Sequence, residues 1–326
     1  WWGLVRLVPV AKQREAVMAT ALRDGLTGDY AREAAKWPQS PEAPSARLAF
    51  PFWLTDPAVR VTRDLRYAPG ADRRHLLDVY TPRAGADQAP VLLQIHGGAW
   101  IMGEKREQAR PLMNHLAARG WVCVAINYRL SPKHRFPAHL LDIKLAIRWI
   151  REHIHEYGGN PDFLGATGGA AGGHLSALTA LSANDPEYQP GFEEVDTSVR
   201  ACVPFYGIYD FANQCGHAHW QGMADFWGKR VFEQRFEQDP EAYRKASPME
   251  RVHPDAPPFL VIHGDADSLA AVDESRLFTR ALREASKSPV AYAEIPGAQH
   301  AFEVFHSPRT QRVVNGVERF LAHVYA

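Results

Sequence analysis

The stretch Phe163 to Leu175, F-L-G-A-T-G-G-A-A-G-G-H-L, restricts the fold more than any other part of the chain. A short apolar run, Phe163 to Thr167, meets a cluster of very small residues, and a helical pattern follows from His174. That is strand, sharp turn, helix. A strand that reverses directly into a helix forces one residue into strained φ/ψ and crowds its neighbours, so Gly and Ala are what fit around the apex. The nucleophile elbow G-x-S-x-G has this form and carries a serine at its apex. Here Gly168 and Gly172 stand at the glycine positions, and the apex is Ala170. The turn that presents a nucleophile is written out, and the hydroxyl is missing. Rossmann and Walker loops need G-x-G-x-x-G and G-K-[ST]; neither is present, and no lysine is near.

The rest of the chain supplies the sheet that such a turn requires. Val59 to Tyr67 and His75 to Tyr80 flank Ala68-Pro69-Gly70 and read as a hairpin. Val91 to Ile95 and Trp121 to Asn127 are nearly continuous apolar runs, as expected of parallel strands buried on both faces. Further strands are expected at Ala201 to Tyr206, Pro258 to Ile262 and Pro289 to Ile295. Between them lie helical patterns at about 106–119, at Leu140 to Tyr157 and at Thr310 to Tyr325. Strands alternating with helices mean an α/β fold with a mostly parallel central sheet. Two stretches break the rhythm. Residues 1–60 form a leader rich in tryptophan and phenylalanine, and 210–247 is an aromatic insertion between two strands. Both read as parts of a helical cap on a main domain spanning 61–326.

Three loops after strands carry residues suited to acyl transfer, at the sheet edge where α/β folds build their sites. His96-Gly97-Gly98-Ala99-Trp100 offers backbone N–H groups that a Cβ does not shield, as an oxyanion needs. The Ala171 amide, next to the apex, is the natural further donor. His263-Gly264-Asp265-Ala266-Asp267 places two carboxylates, Asp265 and Asp267, where one could steady an imidazole. Gln299-His300-Ala301-Phe302 follows the last strand, and His300 is placed to act as general base. The order nucleophile position, acid, base is the α/β-hydrolase order.

The chain has 326 residues with 46% hydrophobic content, enough for one large core. Lys+Arg and Asp+Glu both number 37, which leaves no electrostatic footprint for nucleic acid. Three scattered cysteines, two of them in apolar strands, argue against a disulfide framework and for a reducing compartment. A cytoplasmic location follows. The apolar segment Trp1 to Val10, interrupted by Arg6, is too short to span a bilayer and suits weak lipid association. Cys215, His217 and His219 have metal-like spacing without a fourth ligand in view, so no metal or cofactor is expected.

The motifs H-G-G-A-W, N-Y-R-L-S-P (Asn127 to Pro132), G-G-A-A-G-G, D-A-D-S-L and Q-H-A-F are together similar to those of the hormone-sensitive-lipase-like carboxylesterases of the α/β-hydrolase superfamily. The resemblance runs from about residue 60 over most of the chain. It implies the α/β-hydrolase fold with a helical cap, Asp267 rather than Asp265 as the acid, His300 as the base and no cofactor. It implies oxyanion donors at Gly97, Gly98, Ala99 and Ala171. Trp100, Tyr206, Trp220, Trp227 and Phe302 are expected to line an apolar acyl pocket. Small-molecule esters with short to medium acyl groups are the implied substrates, and a homodimer is within the expectation. Two departures stand out. Ala170 replaces the family serine, and Ala270-Ala271 replaces the usual Val-Pro, which points to a looser acid loop.

With Ala170 the chain as written cannot form an acyl-enzyme. Neither Ser176, inside the helix, nor Thr167, on the strand, can take the apex. The leading reading is a serine esterase in a form that lacks its nucleophile. Two others compete: a non-catalytic relative that binds a small apolar ligand under its cap, and an arylformamidase-type hydrolase, to whose H-G-G-x-W loop this one is similar.

Overall fold

The computed structural model describes residues 16–26, 30, 50–70, 72–214, 216 and 220–326. Its centre is an eight-stranded sheet in the order β1-β2-β4-β3-β5-β6-β7-β8. The strands are β1 (Val59–Arg66), β2 (Leu76–Pro82), β3 (Ala89–Ile95), β4 (Val122–Ile126), β5 (Gly159–Gly169), β6 (Ala201–Phe205), β7 (Phe259–Gly264) and β8 (Val290–Ile295). β2 runs antiparallel to both β1 and β4, and the other pairings are parallel. The strand order explains the near-continuous apolar runs. Every residue of β3, β4, β6 and β7 is buried, because helices cover both faces.

The period of two divides these strands between two cores. Val91, Leu93 and Ile95 of β3 and Val122, Val124 and Ile126 of β4 face one apolar cluster. It is completed by α2 (Ala138–His153), α3 (Ala171–Leu181) and α6 (Val272–Ala285). Leu92, Cys123 and Ala125 face the other, against α1 (Arg110–Ala117) and α7 (Pro308–Tyr325). Met18 and Leu22, from a helical stretch at 16–25, join that second cluster. The thiols of Cys123 and Cys202 are free and buried, and burial pushes both up, out of the range of a reactive thiolate.

The insertion between β6 and β7 contains α4 (Trp220–Arg230) and α5 (Pro240–Ala246). Its two ends are clasped together. The Ser247 hydroxyl accepts the amides of Phe211 (2.9 Å) and Ala212 (3.2 Å) and donates to the Tyr243 carbonyl (2.8 Å). α5 starts on Asp239, whose carboxylate accepts the Ala242 amide, with Pro240 in the first turn.

Several boundaries differ from the sequence reading. β5 begins at Gly159 rather than Phe163, since the polar Asn160-Pro161-Asp162 reads as a loop although Gly159 pairs with Ala89. α1 begins at 110 rather than about 106, because Ala109 takes a left-handed φ of 53° and blocks the turn before it. Trp1 to Val10, Trp37, Cys215, His217 and His219 lie outside the described residues, and Trp220 is described only as the start of α4.

Candidate active site

The turn after β5 has the conformation its composition demands. Ala170 sits at φ 56° and ψ −117°, a strained combination for a residue with a Cβ. Close backbone approach fixes the residues around it. A Cβ on Gly172 would lie 2.1 Å from the Ile95 carbonyl, and one on Gly168 would lie 2.4 Å from the Gly172 carbonyl. β3 and the turn are thus pressed together, which brings the loop after Ile95 alongside the apex. The Ala170 amide donates to the Phe205 carbonyl (3.0 Å), which continues the β5–β6 ladder to the last residue before α3. Ser176 and Thr167 are tied down elsewhere: their hydroxyls donate to the carbonyls of Gly173 (3.0 Å) and Val203 (2.7 Å).

The loop after β3 turns through three successive positive φ values at Gly98, Ala99 and Trp100. The Gly98 carbonyl accepts the amides of Ile101 (3.1 Å) and Met102 (3.0 Å). Gly97 departs from expectation. Its amide donates to the Gln108 side-chain oxygen at 2.6 Å and is already occupied, so the expectation of a donor there is corrected. Gly98 and Ala99 have no such partner among the described residues, and Ala171 opens a helix, where first-turn amides are unpaired within the helix.

Trp100 and Trp227, expected in an acyl pocket, are core residues instead. Trp100 is 2% exposed, and its indole N–H donates to His174 Nδ1 (3.1 Å). His174 Nε2 faces the Ala246 carbonyl (2.8 Å), so that nitrogen carries the proton and Nδ1 accepts. Burial lowers His174 to about 4. This chain of contacts ties the β3 loop to α3 and to the end of the insertion. Trp227 is 1% exposed and stacks at a tilt on Phe211, with centroids 4.5 Å apart. The volume it fills belongs to the insertion's own core.

The loops after β7 and β8 meet as the sequence suggested. His300 Nδ1 lies 2.7 Å from Asp267 Oδ2. Asp265 is turned away, and its carboxylate accepts the Gly297 amide (2.6 Å). The Asp267 side chain is fully buried. Its other oxygen accepts the amides of Leu269 (2.8 Å) and Ala270 (3.0 Å), which tie the acid loop down without Val-Pro. His263 Nε2 approaches the same Oδ2 at 3.2 Å, and the Ser275 hydroxyl at 2.6 Å from Nδ1 fixes that ring. Burial alone would raise Asp267. Hydrogen bonds from His263, His300 and the two amides win and hold it well below the usual carboxylate range. It is therefore an anion at neutral pH.

Tyr206 joins the two halves of the site. Its ring packs 4.5 Å from that of His300, and its hydroxyl lies where a Cβ on Gly169 would be, 2.6 Å away. The phenol donates to the Glu303 carboxylate, which is buried and pushed up by desolvation. Phe302 is half-buried against Phe205 and Tyr206. Sequence reading missed His263, Gln108, His174 and Glu303. His263 stands four residues before the acid and Glu303 three after the base, and only that proximity could have singled them out.

Comparisons with known proteins agree with this architecture. A family model described as BD-FAE matches residues 77–282. A probable carboxylic ester hydrolase of Mycobacterium tuberculosis, LipM, is 45% identical over 99% of this chain and 76% of its own. Esterase LipQ of the same organism is 42% identical over 97% of this chain and 76% of its own. Among solved structures, the thermophilic esterase Est2 of Thermogutta terrifontis with propionate bound superposes with a TM-score of 0.66 at 25% identity. The match covers 82% of this chain and 95% of that one.

Proposed function

Since the chain belongs to the BD-FAE family of α/β-hydrolase carboxylic ester hydrolases, we propose that it is a serine esterase scaffold for short to medium acyl esters, held without its nucleophile by Ala170. The observation that carries the reading is the 2.7 Å contact between His300 and the Asp267 carboxylate, which is held well below the usual carboxylate range, on the loops that follow β7 and β8. The strained apex at Ala170 supports it, since that conformation serves a presented side chain and costs energy without one. Est2 has structures with propionate and with butyrate bound, which favours short acyl groups here.

The chemistry follows from the geometry once a hydroxyl stands at the apex. Nδ1 of His300 faces a carboxylate, so the proton sits there and Nε2 is left to accept. Nε2 takes the hydroxyl proton as the oxygen attacks the ester carbonyl. The oxyanion that forms meets the amides of Gly98, Ala99 and Ala171, the last at a helix N-terminus where the dipole also favours negative charge. His300 returns the proton to the leaving alcohol, and water then releases the acid by the same route. Asp267 stabilises the imidazolium throughout. Phe302 is the apolar surface next to the base, and Tyr206, expected to line the pocket, is fully buried behind it.

The Ala170→Ser form tests this directly. Hydrolysis of p-nitrophenyl acetate and butyrate should rise by about 10³-fold or more over the chain as it stands. The rise should vanish again with His300→Ala. A folded Ala170→Ser protein with no gain would overturn the reading and leave the non-catalytic binder in its place. Faster turnover of N-formylkynurenine than of any ester would favour the arylformamidase reading.

A further inference from the structure

A cavity of about 490 Å³ opens between the β1–β2 edge and the N-terminal end of α1. Its floor is apolar. Val59 and Val61 point the same way from β1, and Tyr80 pairs with Val61 across the ladder. Trp53 adds an indole face, with its N–H spent on the Thr55 hydroxyl (2.8 Å).

The rim of this cavity is cationic. Arg63, two residues beyond Val61, projects from the same face of β1. Arg83 is fixed in place by carbonyls, donating to Pro57 (2.8 Å) and Val59 (3.3 Å), which orient its charge without cancelling it. Arg110 has a buried Nε with no hydrogen-bond partner among the described residues. None of these three guanidiniums forms an ion pair among the described residues. Arg106, the fourth, differs: Asp64 and Asp78 neutralise it. Asp56 is the one carboxylate among the described lining residues, and it accepts the Ala58 amide. Arg63, Arg106 and Arg110 gather around Tyr80, while Arg83 stands at the Val59 end of the cavity. Burial and then Asp78 push the Tyr80 phenol up, while Arg110, Arg106 and Arg63 pull it back.

Three unneutralised guanidiniums around an apolar floor have a chemical complement. Guanidinium forks match carboxylate and phosphate oxygens, and the floor gains by covering hydrocarbon. We propose that this cavity binds an amphiphilic anion, a single carboxylate or phosphate head carrying a short apolar chain. The head sits between Arg63 and Arg110, with Arg83 adding positive charge to the rim, and the chain lies on Val59, Val61, Tyr80 and Trp53. None of these residues takes part in the ester chemistry proposed above, so this site stands or falls independently of it.

Calorimetric titration of the chain with octanoate, octyl phosphate, octanol and inorganic phosphate tests the site. Octanoate or octyl phosphate should bind, and whichever binds more tightly identifies the head. Octanol and inorganic phosphate should each bind at least tenfold more weakly. Arg63→Gln combined with Arg110→Gln should weaken binding of the preferred anion by tenfold or more. Arg63→Glu, on an exposed strand position, should do the same if the double variant fails to fold. In the unmodified chain, raising salt from 50 mM to 500 mM should weaken binding several-fold. Anion binding that these variants and salt leave unchanged would overturn the proposal. So would octanol binding as tightly as octanoate, or the absence of binding by both amphiphilic anions.

Discussion

Asp267 shows how much a single carboxylate can be asked to do. One oxygen serves His300 and His263, and the other serves two amides of its own loop. Asp267→Asn removes the charge and breaks one set of bonds in either orientation: with NH₂ at the shared position both imidazoles lose their acceptor, and with oxygen there the NH₂ faces the Leu269 and Ala270 N–H groups. In the Ala170→Ser form, kcat on p-nitrophenyl butyrate should fall by about 10⁴-fold, with KM changed far less. Asp265→Asn removes a charge two residues away and only weakens the Gly297 turn, so it should leave kcat within about threefold. Equal losses in both variants would show that the effect is structural. From sequence the two aspartates could not be separated by position, and the resemblance favoured Asp267. The physical reason is burial, which depends on β7 and β8 being neighbours. Gly97 illustrates the opposite case. Its place in H-G-G-A-W marks it as a donor, but Gln108, eleven residues on, takes its amide. A side chain from a turn before α1 leaves no trace in a local motif.

The elements were more legible than their ends. Buried parallel strands announce themselves through continuous apolar runs, and all eight strands lie at or beside the stretches the sequence marked. What could not be read was polar sequence recruited into a ladder, as at Asn160-Pro161-Asp162 in β5, or a left-handed residue delaying a helix, as at Ala109. The contact between β3 and the start of α3 was only half visible. Composition showed that small residues were required, without showing what they pack against. That contact gives an element-scale prediction. Gly172→Ala puts a methyl 2.1 Å from the Ile95 carbonyl and 2.8 Å from that of His96, both backbone atoms that cannot turn aside. Overpacking of this kind costs about 1–3 kcal/mol when side chains can yield, and here it should reach or exceed the upper end. Urea denaturation should show a lower midpoint at unchanged m-value. In the Ala170→Ser form, activity should fall more than stability, because the β3 loop carries the Gly98 and Ala99 amides. A Gly172→Ala protein with unaltered midpoint and activity would mean that the turn and β3 are not in contact.

The whole molecule buries imidazoles that have nothing to do with the base. His96 and His174 are lowered by desolvation to about 4, and His139 to about 3. Each has neutral partners: His96 stacks on Tyr128, His139 meets the Ser131 hydroxyl, and His174 bridges Trp100 and Ala246. An unfolded histidine takes up a proton near pH 6.5, so between pH 6.5 and 4 the unfolded chain holds three protons that the folded chain refuses. Stability must fall as pH falls through that window. Glu274 on α6 opposes the trend. Its carboxylate accepts the Tyr209 and Asp210 amides where the insertion begins, and burial raises it to about 7. From pH 7 down to about 4.5 the folded chain therefore carries one proton that the unfolded chain lacks. For these four groups the net difference is about two protons, a slope of roughly 2.7 kcal/mol per pH unit near pH 5, and Glu303, also pushed up by burial, makes it shallower. Glu274→Gln removes the opposing proton and should steepen that slope by about half, even though it relieves the cost of a buried carboxylate at pH 8. Urea unfolding followed at pH 5.0, 5.5, 6.0 and 8.0 for both proteins measures this. A slope that is flat in the parent, or unchanged by Glu274→Gln, would mean that these groups titrate alike in the folded and unfolded chains, and that the buried polar contacts around the sheet are open to water.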